Sequence, residues 1–249
     1  ELACYVASDV PDRLIGDPVR LRQVITSLVG NSIKFTQAGE VVVRVEQTDQ
    51  SPDTTTLQVE VSDTGIGIPQ DKQQQVFDAF TQADASTTRR FGGTGLGLTI
   101  SNYLVQRMSG QITVRSEEGR GTTFKFTAVF GRKDAVNPDI PPGCLERLRG
   151  TRILIVDDNQ ASLRILRQMT ESWGMAPTAV ERAPQALELL EHAAQQGQPY
   201  TILITDCQMP GMDGFMLVAS IRQHPPLRKI AILMLTSGSR PEDADRVAQ

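Results

Sequence analysis

Cysteine, histidine, an excess of basic charge and long apolar runs are all scarce in this sequence. The three cysteines, Cys4, Cys144 and Cys207, are odd in number, far apart and in no C-x-x-C pairing. This excludes a disulfide framework and a structural zinc site and suits a reducing compartment. The two histidines, His192 in "LLEHAAQQG" and His224 in "RQHPP", read as surface residues on a solvated helix and at a helix end. With 25 Lys and Arg against 29 Asp and Glu, the formal net charge is -4 and the isoelectric point about 5.3. Binding to a nucleic-acid backbone rests on excess positive charge, so no nucleic-acid partner is expected. No apolar run approaches the roughly 20 residues of a membrane helix, and the opening "ELACYVASDV" alternates like a strand rather than a signal peptide. The expectation is a cytosolic chain, or the cytosolic part of something larger. Internal repeats and low-complexity tracts are also lacking.

What is present divides in two. A length of 249 residues suits two compact domains, each able to bury a core. The Pro-bearing stretch "GRKDAVNPDIPPGCLERLRG" has little apolar periodicity and reads as a linker. The expected organisation is a first domain at 1–132, a linker at 133–150 and a second domain at 151–249. Before the linker, the alternating runs "VVVRVEQ", "TTLQVEVSD", "QITVRSE" and "TTFKFTAVF" are interleaved with helical patterns. They predict an antiparallel or mixed sheet covered by helices on one face, a two-layer α/β sandwich. After it, "RILIV", "YTILIT" and "IAILML" are apolar throughout and alternate with helical stretches, the pattern of a doubly wound parallel sheet.

Four stretches of the first domain could carry chemistry. In "GDPVRLRQVITSLVGNSIKFT", Asp17 caps a predicted helix, Pro18 suits its first turn, and Leu21, Val24, Ile25, Leu28 and Ile33 form a buried stripe. Ser27, Asn31 and Lys34 share another face, where an amide oxygen and an ammonium suit metal-bound phosphates; alone they fit a solvated face equally well. In "VEVSDTGIGIP", a strand delivers Asp63 to its end, and Gly65 and Gly67 permit close backbone approach. A buried carboxylate there needs a donor, which the amino group of adenine would supply. "DKQQQVFDAF" predicts a helix with Phe77 and Phe80 on one side. "DASTTRRFGGTGLGLTI", with glycines at 92, 93, 95 and 97, is on its own weak evidence for phosphate binding.

In the second domain the three apolar strands end in Asp157-Asp158, Asp206 and Thr236. Functional groups of doubly wound sheets gather beyond the carboxyl ends of strands. Each Asp taken singly fits a cap or turn. Together, converging carboxylates call for a divalent cation with oxygen ligands, Mg, and for one carboxylate that attacks a phosphoryl group while the Thr236 hydroxyl meets a phosphoryl oxygen.

From Gly16 to Phe130 these motifs resemble the catalytic ATP-binding domain of sensor histidine kinases, within the superfamily that includes gyrase and Hsp90. The resemblance rests on the asparagine box at Asn31, the glycine box Asp63-Thr64-Gly65-Ile66-Gly67, the Phe77/Phe80 box and the second glycine box "GGTGLGL". It implies that the second box hinges a lid over ATP. There Gly93, Thr94, Gly95, Leu96 and Gly97 bring backbone N–H groups and a helix N-terminus to the phosphates, and Arg89 and Arg90 add cationic cover. It also implies that Asn31 holds Mg, with Lys34 beside it. One departure is Ser27, where ATP-hydrolysing relatives carry a glutamate base and histidine kinases commonly an asparagine; the site is therefore expected to hold ATP for another nucleophile and to hydrolyse it poorly. From Arg152 onward, "RILIVDDNQ", "ILITDCQMPGMDGF" and "ILMLTSGS" resemble the response-regulator receiver. This implies Asp206 as phosphoacceptor, Asp157, Asp158 and the Gln208 carbonyl as metal ligands together with Asp206, and Thr236 as the switch hydroxyl. The resemblance further implies a strand ending in a lysine and a last helix that this sequence does not contain, so the receiver is expected to be truncated at its C-terminus and poor at accepting phosphate. Neither histidine stands in an acceptor context. The combination implies a hybrid sensor histidine kinase, homodimeric when whole, that is cytoplasmic or the cytoplasmic part of a membrane-anchored sensor. Its partners would be ATP, a His-containing dimerisation domain and a downstream phosphotransfer protein or response regulator. The alternatives are a non-catalytic nucleotide-binding and receiver scaffold that regulates another kinase, and an independent ATPase, which Ser27 disfavours.

Overall fold

The computed structural model describes residues 1–78, 96–132 and 144–236. Its contacts divide the chain into two units, Glu1–Pro138 and Asp139–Gln249. The 133–143 part of the expected linker lies outside the described residues, and the remainder opens with a short helix, Cys144–Leu148. No helix of the described residues is long and apolar enough to cross a membrane.

The first unit is built on a six-stranded mixed sheet. Its strands are β1 (Leu2–Val6), β2 (Leu14–Ile15), β3 (Val41–Gln50), β4 (Thr54–Asp63), β5 (Ile112–Glu117) and β6 (Gly121–Arg132). The order is β1-β3-β4-β6-β2, with β5 also on β6; β1 runs parallel to β3 and the other pairs are antiparallel. One face is buried by period-two alternation: Val41 and Val43 on β3, Leu57, Val59 and Val61 on β4, and Phe124, Phe126, Ala128 and Phe130 on β6. Two helices cover it, α1 (Pro18–Phe35) and α2 (Gly97–Arg107), which complete the two-layer sandwich.

Helix α1 starts where its sequence says it should. The Asp17 side chain accepts from the N–H groups of Val19 and Arg20, each at 3.0 Å, and so satisfies two donors that the first turn leaves open. Its buried line is Val24, Leu28 and Ser32, with Leu21 and Ile25 packed partly against the core. Ile33, expected in that stripe, is 53% exposed. The line advances four residues at a time, so position 33 has already rotated to the solvent side and Ser32 takes the inward place. The predicted helix over 71–80 is also corrected. The described part consists of two short 3₁₀ turns, Gln70–Lys72 and Gln75–Phe77. The Gln73 amide donates to the carbonyls of Ile68 (2.9 Å) and Ser116 (2.8 Å), which ties this segment to β5 instead of leaving it to coil freely.

The second unit has a four-stranded, all-parallel sheet of β7 (Arg152–Val156), β8 (Ala176–Val180), β9 (Ile202–Asp206) and β10 (Ala231–Leu235), in the order β10-β9-β7-β8. Counting Cys144–Leu148 as α3, its other helices are α4 (Gln160–Ser172), α5 (Ala183–Gln195) and α6 (Gly214–Gln223). Successive residues of one strand enter different cores. Ile153 and Ile155 join Leu163 of α4, whereas Leu154 and Val156 join Leu190 of α5 and Leu217 of α6. A strand covered on both faces has no solvated side, which is why "RILIV" reads apolar throughout. Strand β8, "APTAV", was not apparent in the sequence because alanine and proline carry little strand signal; it exists by pairing with β7.

Candidate functional site

In the first unit, the site begins where the apolar stripes end. Asp63 is the next inward position on β4 after Leu57, Val59 and Val61, and Thr122 is the inward position on β6 before Phe124; the two are cross-strand partners. Alternation therefore buries the Asp63 carboxylate, which is 8% exposed. Its Oδ1 accepts from the Gly65 N–H (3.0 Å) and the Thr122 N–H (3.2 Å). Its Oδ2 accepts from the Ser32 hydroxyl at 2.9 Å. The protein itself thus supplies three donors, which answers the desolvation cost of the carboxylate before any ligand is considered. An ionised carboxylate has about four accepting positions, so Oδ2 retains capacity for one more donor.

Gly65 and Gly67 make room first for the chain's own atoms. A Cβ on Gly65 would stand 2.5 Å from the Phe35 carbonyl oxygen, and one on Gly67, whose φ is +72°, would run into the Glu117 carbonyl. The Asp63–Gly67 turn is in this way clamped between the end of α1 and the β5–β6 turn, with the Ile66 N–H on the Phe35 carbonyl (3.3 Å) and the Gly119 N–H on the Ile66 carbonyl (2.8 Å).

On α1, Asn31 is half-buried, and among the described residues its side chain makes no hydrogen bond. Lys34 lies over the Phe35 ring at 5.1 Å. Ser27 faces the start of α2: a Cβ on Gly97 would stand 3.2 Å from its Oγ. The cap position of α2 is Leu96, whose side chain makes no capping hydrogen bond, so the cap residue's own side chain satisfies none of the first N–H groups of this helix. Phe77 packs edge-on against Phe124, centroids 6.4 Å apart, and belongs to the core. Phe80, Arg89, Arg90, Gly93, Thr94 and Gly95 lie outside the described residues. Two participants escaped the sequence reading, Ser32 and Thr122. The signal for Ser32 was a hydroxyl four residues after Leu28 on the buried line, and that for Thr122 was its place two residues before Phe124.

In the second unit the acidic residues stand at the turning point of the topology. From β7 the chain moves one way to β8 and the other way to β9 and β10, and β7 and β9 are neighbours. Asp157 follows β7, Asp206 ends β9 and Thr236 follows β10, the crevice in which open α/β sheets bind ligands. Asp157 is buried, and its Oδ1 accepts from the Asn159 N–H at 2.8 Å; Asp206 is half-buried, and its Oδ2 accepts from the Gln208 N–H at 3.2 Å. Asp158, Gln208 and Thr236 are exposed. Gly214, the first residue of α6, packs so closely on the Asp206 carbonyl that a Cβ would overlap it, and the Asp213 cap accepts from the Met216 N–H at 2.7 Å; both fix the loop after Asp206. The expected convergence of three carboxylates is narrowed. Among the described residues no three His, Cys, Asp or Glu side chains are gathered to hold one ion, and Asp158 is exposed. The remaining set, Asp157 and Asp206 with carbonyl oxygens, still fits Mg, which is commonly held through one or two carboxylates and keeps several waters.

Residues 16–131 match the family of histidine kinase-, DNA gyrase B-, and HSP90-like ATPases, and residues 153–249 match the response regulator receiver domain. The chain is 34% identical to the sensory/regulatory protein RpfC of Xanthomonas campestris pv. campestris, over 97% of its own length and 37% of that protein's. It is 41% identical to the signal transduction histidine-protein kinase BarA of Escherichia coli K12, over 81% of its length and 22% of that protein's. Among solved structures, full-length ShkA in complex with AMPPNP matches at 29% identity and a TM-score of 0.72, over 100% of this chain and 46% of that one. The chain thus spans less than half the length of each of these proteins.

Proposed function

Because the chain is a histidine kinase-, gyrase- and HSP90-like ATPase domain followed by a response regulator receiver domain, as in hybrid sensor histidine kinases, we propose that it is the catalytic and receiver portion of such a kinase. The first unit binds ATP with Mg and presents the γ-phosphoryl group to a histidine on a dimerisation domain; Asp206 then receives that group, for delivery to a downstream phosphotransfer protein or response regulator. The whole protein acts as a homodimer, with this portion in the cytoplasm, either free or as the cytoplasmic part of a membrane-anchored sensor. The observation that carries this reading is the pairing, on one helix, of Asn31, whose amide is uncommitted among the described residues, with the neighbouring contact from Ser32 to a buried Asp63 that keeps one accepting position.

The residues divide the labour by chemistry. Asp63 accepts from the adenine amine, and Asn31 supplies an oxygen ligand to the ion. The start of α2 at Leu96 and Gly97, with Gly93, Thr94 and Gly95, offers N–H groups to the phosphates; Lys34, Arg89 and Arg90 add positive charge. Bound Mg would offset phosphate charge at either site. With Ser27 rather than a carboxylate one turn before Asn31, the site has no base there to activate water. In the second step an Asp206 oxygen forms the new bond to phosphorus as the bond from phosphorus to the imidazole nitrogen breaks. The imidazole keeps the electron pair and takes up a proton. Asp157 and the Gln208 carbonyl hold the ion with Asp206, Asp158 adds nearby negative charge, and Thr236 meets a phosphoryl oxygen.

The test is to supply a separately produced His-bearing dimerisation domain together with ATP and Mg, and to follow phosphohistidine and phosphoaspartate. Phosphohistidine is expected on the added domain, followed by label at Asp206. ATP binding with neither product would favour the scaffold reading, and steady hydrolysis by the chain alone would favour an independent ATPase.

A further inference from the structure

Resting on the nucleotide-site reading above, we propose that Ser32 is a positioning residue for base selection: its hydroxyl pins Asp63 Oδ2 so that one accepting position is aimed at the exocyclic amine of adenine.

The geometry leaves the carboxylate little else to do. Oδ1 is occupied by two backbone donors, Gly65 N–H at 3.0 Å and Thr122 N–H at 3.2 Å, which belong to the turn after β4 and to β6 and survive any side-chain change. Oδ2 has one partner in the described structure, the Ser32 hydroxyl at 2.9 Å. Ser32 is 2% exposed and lies in the last turn of α1 (Pro18–Phe35), so its donor direction is fixed by packing rather than chosen by solvent. Since a carboxylate oxygen accepts, the hydroxyl is the donor, and the oxygen left with an open lone pair is the one that Ser32 holds. A ligand that presents N–H there completes the carboxylate; one that presents a carbonyl, as guanine does, meets a lone pair and is repelled. Buried polar groups left unpaired in this way give large discrimination between otherwise similar ligands.

The arrangement also explains why one helix can serve both ends of a nucleotide. Asn31 and Ser32 are adjacent, and one residue of α-helix turns by about 100°. The amide and the hydroxyl therefore leave the helix in different directions, one to a half-buried face and the other into the buried stripe above β4.

Two nucleotides separate this role from a merely structural one: ATP, and purine riboside triphosphate, which has the same ring system and phosphates but no exocyclic amine. Each is titrated calorimetrically, with Mg, into the full 249-residue chain, into Ser32→Ala and into Asp63→Asn. The parent should prefer ATP. Ser32→Ala should lose roughly two- to tenfold in ATP affinity, a part of what a hydrogen bond to a charged group contributes, while its affinity for the amine-free analogue stays at the parent value and the preference collapses accordingly. Equal losses for both nucleotides would mean that Ser32 only supports the fold; an unchanged preference would mean that the hydroxyl does not aim the carboxylate. Either result overturns the proposal. If Ser32→Ala does not fold, Ser32→Cys fills the volume with a weak donor and must show the same fall in preference. A parent without any preference, or an Asp63→Asn variant that retains it, would instead remove the adenine assignment on which the proposal rests.

Discussion

The two units place carboxylates in opposite ways. In the first, Asp63 continues the buried face of an antiparallel strand and is held from three directions, by a helix side chain, a turn and a neighbouring strand. In the second, Asp157 and Asp206 leave the carboxyl ends of parallel strands, and each accepts from an N–H two residues further along its own loop. The first carboxylate lies on the buried face of a sheet, whereas the second pair stands beyond the ends of its strands, Asp157 buried and Asp206 half-buried. The lesson concerns coupling: binding at Asp63 should respond to changes in α1 packing, and chemistry at Asp206 should depend on strand ends and charge.

The sharpest way to break the comparison is at Asp206. With Mg and a small acyl phosphate, phosphoaspartate should form at Asp206 and vanish in Asp206→Asn, as read by intact mass. Label that persists in Asp206→Asn would place the acceptor elsewhere.

Next in size is Leu28→Ala, one turn below Ser32 on the same buried line and itself 0% exposed. Loss of this core side chain should cost the first unit about 2–5 kcal/mol and shift its denaturation midpoint. ATP binding should weaken with it, while Asp206 labelling in the same variant stays at the parent level. Parallel loss of both activities would refute the independence of the two carboxylates.

A smaller effect is expected at Asp63 itself. Asp63→Asn replaces an ionised acceptor with an amide and should weaken ATP by about 1.5–3 kcal/mol, the range for a hydrogen bond to a charged group, measured by calorimetry. GTP should bind poorly to the parent. Asn31→Ala should follow with a loss that is larger in Mg than in chelator, since the amide acts through the ion; equal losses would make Asn31 a structural residue. Least affected should be Ile33→Ala, which stays within about 0.5 kcal/mol of the parent in thermal or chemical unfolding because this side chain is exposed. A larger loss would restore Ile33 to the buried stripe.

Much of this was legible in the sequence. Period-two runs announced β3, β4 and β6, continuous apolar runs announced β7, β9 and β10, and Asp17 before Pro18 announced the start of α1. These signals are local, because side-chain direction follows directly from backbone period and capping needs only neighbouring residues. The strand-end placement of Asp157, Asp206 and Thr236 was legible for the same reason. Less legible were elements whose existence depends on a partner. Strand β8 is held by β7, and the segment after Pro69 is drawn to β5 by Gln73, so intrinsic propensity misjudged both.

By itself, then, the sequence determined the two layered architectures and the identity of the acids at their strand ends, since repeating patterns of polarity dictate which faces are buried. Only the tertiary structure decided that Asp63 meets Ser32 and Thr122, residues 31 and 59 positions away, that Gly67 clears the Glu117 carbonyl, and that Asp157 is buried while Asp158 is exposed. Those outcomes depend on the register between strands and on the rotation of a helix over a sheet. Packing of the whole core sets both, and no local stretch of sequence encodes them.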